Sequence, residues 1–78
     1  MRNARYTPGS ARWAIREAKK GMVLAHYDSE EGSTCPATWC FADKCMDFCD
    51  HDLTPCVGAD EDQIVELWPW GWSYWTAQ

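Results

Sequence analysis

Five cysteines and two histidines are the residues of this chain whose types and spacing could do chemistry. The cysteines run Cys35-x4-Cys40-x4-Cys45-x3-Cys49-x6-Cys56, with His51 inside the set. A structural zinc ion takes four N or S ligands in a tetrahedron, with sulfur at ~2.3 Å. Read as a helix from Phe41 onward, the segment places Cys45 and Cys49 four residues apart, hence on one face. The ligand set expected on this basis is Cys35, Cys40, Cys45 and Cys49, with Cys56 or His51 as substitutes. No C-x2-C pair occurs, so the spacing matches neither zinc fingers nor ferredoxin-type iron–sulfur runs.

The thiols have other possible fates: free and buried as small hydrophobes, paired in disulfides, or catalytic. In an oxidising compartment, two disulfides would staple the chain and leave one cysteine over, and spacing does not decide the pairing. A thiol enzyme would need a base beside its cysteine, and His26 is the candidate. His51 is two residues from Cys49 and points away from it on a helix. The Asp50/Asp52 and Asp60/Asp62 pairs lack the glycine that a calcium loop requires.

A second constellation is aromatic. Trp68, Trp70, Trp72 and Trp75 crowd the sequence Trp-Pro-Trp-Gly-Trp-Ser-Tyr-Trp. With three Leu and two Ile in the whole chain, some of these indoles must serve as core. The rest are expected at an interface, where Trp is enriched among residues that dominate binding. Trp70 and Trp72 are the expected contacts.

Charge is unevenly spread. Arg2, Arg5, Arg12, Arg16, Lys19 and Lys20 face Glu17 alone in the first 20 residues, whereas Lys44 is the single cation among eleven carboxylates thereafter. Basic clusters suit phosphate, but the acidic remainder would repel a polyanion, which argues against direct nucleic-acid binding. The acidic residues Asp43, Asp47, Asp50, Asp60, Glu61 and Asp62 suit a basic protein surface instead.

The elements that must position these residues can be read in outline. Residues 1–9 form a basic arm ending in the turn Pro8-Gly9, and residues 10–78 form one small domain. Ser10 is the expected N-cap of a helix Ala11–Lys20 whose apolar face is Ala11, Ala14, Ile15, Ala18 and Met22. Gly21 stops it. Met22–Tyr27 reads as a strand, Phe41–Leu53 as the cysteine-bearing helix, and the tail as a hairpin of Ile64–Trp68 with Trp72–Thr76. A helix beginning at Asp60 and ending before Pro69 is the competing reading of the tail.

The expected fold is therefore α+β: two short helices on a two- or three-stranded antiparallel sheet, stapled by a cysteine-rich metal site. A chain of 78 residues buries only ~60% of its unfolded surface, so such a staple answers a physical need. The longest aliphatic run is Met22–Ala25, far short of the ~20 residues of a membrane span. No secretory leader is visible, so the expected compartment is cytoplasmic (host cytoplasm if the protein is viral), or secreted if a leader was removed. The expected function is a non-enzymatic protein-interaction module with structural zinc, in its concrete form a small acidic inhibitor of the phage anti-defence or host-takeover type. The alternatives are a secreted disulfide-stapled binding protein or toxin, and a thiol enzyme. Oligomeric state is not encoded in any of these features.

Overall fold

A computed structural model describes residues 7–28 and 32–76. The chain runs α1 (Ala11–Ala18), β1 (Leu24–Asp28), β2 (Ser33–Cys40), β3 (Cys45–Cys49), β4 (Pro55–Ala59), α2 (Glu61–Leu67) and β5 (Trp72–Tyr74). One antiparallel sheet of five strands has the order β4-β3-β2-β1-β5. The fold is α+β with two helices, but the sheet is wider than the two or three strands expected.

Helix α1 forms as its sequence dictates. The Ser10 hydroxyl accepts from the Trp13 N–H at 3.2 Å, satisfying one of the donors a helix start leaves unpaired. Ala11, Ala14, Ile15 and Ala18 are its buried face. The helix ends two residues before Lys20, with Gly21 at φ +95°, a left-handed backbone that glycine adopts without strain. Met22 lies beyond that end and is 44% exposed, so it does not extend the apolar face.

The cysteine segment is not helical. Cys45–Cys49 is β3, paired with β2 from Cys40↔Cys45 to Ala37↔Phe48. Two periods coincide in Cys-Met-Asp-Phe-Cys: Cys45 and Cys49 share a face at helical spacing, and so do Met46 and Phe48 at strand spacing. Met46 and Phe48 are buried, so the strand period prevails. Poor intrinsic helix formers such as Cys, Asp and Phe offer a helix little resistance to that outcome.

The tail also departs from the hairpin reading. Residues 61–67 are α2, opened by a capping box in which Asp60 accepts from the Gln63 N–H at 2.9 Å and the Gln63 side chain accepts from the Asp60 N–H at 3.0 Å. The competing helix is thus the correct one, and Pro69 lies two residues past its end. Trp72–Tyr74 is a strand as expected, but it pairs with β1, His26↔Trp72 to Leu24↔Tyr74, at the edge opposite β4.

Leu24, Ala37, Met46, Phe48, Ala59 and Trp72 point from the sheet to one side, where they meet α1 and Ile64 of α2. The start of α1 is tied to the tail by backbone: Trp72 N–H donates to the Gly9 carbonyl at 3.0 Å and Ala11 N–H to the Pro69 carbonyl at 2.9 Å. Of the expected basic arm, residues 1–6 lie outside the described residues.

Candidate functional site

The sheet separates the four expected zinc ligands. Cys35 alternates with Ala37 and packs against the core on the helix side. Cys40, Cys45 and Cys49 belong to the opposite side, and the Cys49 sulfur lies 3.7 Å from Thr38 Oγ1 there. On a strand, Cys45 and Cys49 are about 13 Å apart along the chain, too far to share one ion. Cys56 is exposed on β4 and its thiol donates to the Thr54 carbonyl at 3.5 Å, while His51 is exposed in the β3–β4 turn. Among the described residues no three His, Cys, Asp or Glu side chains are grouped to hold a metal ion. These residues do not fit a four-thiolate zinc site.

Two of the cysteines do meet. Cys40 and Cys45 flank the turn Phe41–Lys44 as register partners. The Cys40 thiol donates to Asp43 Oδ2 at 3.6 Å, and that of Cys45 to Asp47 Oδ1 at 3.7 Å. Burial pushes the Cys45 thiol above its ordinary value, and Asp47, Cys40 and Asp43 push it further by disfavouring another negative charge.

The expected acidic contacts divide by task. Asp50 Oδ1 accepts from the Asp52 and Thr54 N–H groups at 2.9 and 3.0 Å, closing the β3–β4 turn in which Leu53 sits at φ +63°. Asp60 caps α2. Glu61 bridges Arg12 at 3.3 Å and Lys19 at 2.8 Å. Asp43, Asp60 and Asp62 are exposed and Asp47 is half-buried. Because Met46 pairs with Ala59, the next residues outward, Cys45 and Asp60, lie at the same end of the sheet as the β2–β3 turn. That end gathers Asp43 and Asp60, with Asp62 in the first turn of α2, while Asp47 is mid-strand and Asp50 is at the other end of β3.

Phe41 stands in this same turn and is 66% exposed, the largest exposure of any big apolar side chain among the described residues. Sequence reasoning missed it, because a helix beginning at Phe41 set this residue on the same face as Cys45 and Cys49 instead of in a turn. A turn signal was available: Phe41-Ala42-Asp43-Lys44 separates two runs of alternating pattern, and Lys44 takes φ +55°.

The tryptophans divide between core and surface. Trp72 is 3% exposed and its indole N–H donates to the Trp68 carbonyl at 2.7 Å, so it is core rather than the contact expected. Trp68 packs against the same cluster, with its ring centroid 4.9 Å from that of Phe48. Trp70 is 53% exposed and stays available. Pro69 and Gly71, the latter at φ +96°, break the line that would have put Trp70 and Trp72 on one face.

His26 is the register partner of Cys35, so the sheet brings these two together. Their polar atoms nevertheless address backbone carbonyls. His26 Nε2 is 3.2 Å from the Trp70 carbonyl, which can only accept, so that nitrogen carries a proton. The Cys35 thiol donates to the Cys49 carbonyl at 3.5 Å.

The basic residues of α1 surround a cleft of about 490 Å³ lined by Arg12, Ile15, Arg16, Lys19, Lys20 and Glu61. Glu61 offsets Arg12 and Lys19, and Glu17 takes Lys20 at 3.0 Å. Lys19 also lies over the Trp39 ring, 4.8 Å from its centroid.

Glu17 links this helix to β5. Tyr74 Oη donates to Glu17 Oε1 at 2.7 Å, and this bond first, with that from Lys20 second, holds the Glu17 carboxyl below the ordinary carboxylate range. A carboxylate so lowered adds stability above its unfolded value and loses that contribution as pH falls through the folded one. Tyr74→Phe is expected to move the Glu17 midpoint upward and flatten that part of the stability profile. Carboxyl-carbon NMR titration reads the midpoint directly, and an unmoved midpoint contradicts the assignment.

No protein-family model, curated protein or solved structure matches this chain at a significant level. No helix among the described residues is long and apolar enough to cross a membrane. Fold and surface therefore define the class: a small α+β domain with an acidic, aromatic-tipped end.

Proposed function

We propose that the chain is a non-enzymatic protein-interaction module, an acidic inhibitor-type domain that covers a basic surface of a protein partner. Its contact is the end of the sheet formed by the β2–β3 turn and the start of α2. The observation that carries this reading is Phe41, exposed in the turn beside Asp43 and at the same end as Asp60 and Asp62. An aromatic anchor seated in a pocket with charged residues at the rim is the usual anatomy of a binding hot spot. The carboxylates would steer a cationic surface into register and raise the association rate. Trp70 contributes to a separate exposed spot. Zinc has no part in this reading, since the thiols are divided between the two sides of the sheet.

The test uses a short Lys- and Gly-rich peptide carrying a single Leu, titrated into the labelled protein at low salt. Amide shifts are expected at Phe41–Lys44 and Asp60–Asp62, and they should fade as salt rises to about 0.5 M, where the Debye length is only a few ångströms. At low salt, Asp43→Asn with Asp62→Asn should weaken binding several-fold, and Phe41→Ala should weaken it without reducing its salt dependence. Shifts confined to other surfaces, or none at low salt, overturn the proposal.

A further inference from the structure

Five thiols allow many pairings, and the register of the sheet sets one pair directly opposite each other. Across β2 and β3 the register partners run Ala37–Phe48, Thr38–Asp47, Trp39–Met46 and Cys40–Cys45. Among the described register pairs no other joins two cysteines: Cys35 faces His26, and Cys49 faces Pro55. Cys56 stands at the irregularity opposite Phe48 and Cys49. Directly opposed residues of antiparallel strands have Cα atoms ~4.5–5.5 Å apart, within the ~4.4–6.8 Å that a disulfide spans. Such partners also share a face of the sheet.

Access fits as well. Cys40 and Cys45 are both half-buried, so a small reagent can reach them. A Cβ on residue 58 would sit 3.1 Å from the Cys45 sulfur, so in the reduced chain that sulfur leans toward β4, on the side of β3 away from Cys40, in space that Gly58 leaves. Each thiol now donates to its own aspartate, so closure requires both side chains to leave these bonds and rotate toward each other.

We propose that Cys40 and Cys45 are a modification site, a dithiol that closes to a cross-strand disulfide by exchange with a small-molecule disulfide of the glutathione class. Cys40 releases its proton to solvent, and the thiolate attacks one sulfur of the small disulfide. The S–S bond of that molecule breaks, and one small thiolate leaves and takes up a proton. Cys45, the thiol that burial and Asp47 hold protonated, then loses its proton and attacks the Cys40 sulfur of the mixed disulfide. The second small thiolate leaves and is protonated. Two protein thiols are thereby oxidised and one small disulfide is reduced to two thiols. The closed form locks the turn that displays Phe41 and Asp43.

The test is incubation of the folded full-length chain with oxidised glutathione, then acid quenching, intact mass and trypsin mapping. Lys44 lies between the two cysteines, so trypsin separates residues 21–44 from 45–78 unless a disulfide holds them. The expected product has lost two hydrogens, keeps those peptides joined through Cys40–Cys45, and reverts with dithiothreitol. Cys45→Ser should instead retain a glutathione adduct on Cys40. A link through Cys35, Cys49 or Cys56 overturns the proposal, as do unlinked adducts on both Cys40 and Cys45, or no reaction while the chain stays folded. The mapping on the unsubstituted chain decides the matter even if a serine variant fails to fold.

Discussion

Trp72→Ala is expected to leave most of the chain unfolded at 25 °C. The indole is 3% exposed, lies 5.2 Å from the His26 ring and 5.9 Å from that of Phe48, and gives its N–H to the Trp68 carbonyl. Truncating a buried tryptophan to alanine costs about 3–5 kcal/mol through lost transfer energy and the cavity left behind. A single core in a chain below about 80 residues rarely supplies more than about 3–5 kcal/mol, so the loss removes most or all of it. The loss also loosens β5, whose three residues join the sheet at His26↔Trp72. Urea denaturation followed by far-ultraviolet circular dichroism reads the effect. Two companions make the result specific. Trp72→Phe keeps the ring and should cost about 1–2 kcal/mol for the orphaned carbonyl and the smaller volume. Trp70→Ala, at an exposed position, should change stability by less than about 1 kcal/mol. Equal effects from Trp70→Ala and Trp72→Ala would contradict this division of the tail into core and surface.

Ile64→Ala is expected to cost about 2–5 kcal/mol and to detach α2 from the sheet. Ile64 is the one buried residue of this seven-residue helix, with Val65 only partly covered. A helix so short has no independent stability in water, and its capping box cannot replace tertiary contact. Detachment would also release Glu61 from Arg12 and Lys19 and strip Trp68 from Phe48. The check is native-state amide exchange at the Ile64 and Trp68 N–H groups, the second of which donates to the Ile64 carbonyl at 2.9 Å. Exchange there should accelerate more than in β2 and β3. Unchanged protection of α2 would show that the helix is held by something other than its single buried side chain.

How much of this was legible before the fold was known differs from element to element. Helix α1 carries its own instructions, a capping serine, a regular apolar stripe and a stopping glycine, so local and tertiary preferences agree. In β3 they conflict, because a five-residue run satisfies both periods and only burial of Met46 and Phe48 selects between them. Strand β4, Pro-Cys-Val-Gly-Ala, has almost no strand propensity and exists by pairing with β3, a long-range fact no local window holds. The site suffered in proportion. Misreading β3 as a helix hid the turn that exposes Phe41 and gathered thiols that the sheet holds apart. Asp50 and Asp60 looked like free charge, although each satisfies backbone donors that folding would otherwise leave bare.

The position of β4 has a bearing on how copies of this protein meet. It is the terminal strand of the sheet, and Pro55 through Gly58 are exposed. The outer side of such a strand is a template on which another copy could lay its own edge. Around it stand Asp47, Asp50, Asp52 and Asp60, so two copies approaching edge to edge at neutral pH bring like charges together. That repulsion vanishes as the carboxylates protonate. The chain's sequence pI is near 4.7, so acidification removes net charge and edge protection together. Solubility in mild acid, rather than stability, is where the open sheet sets the limit.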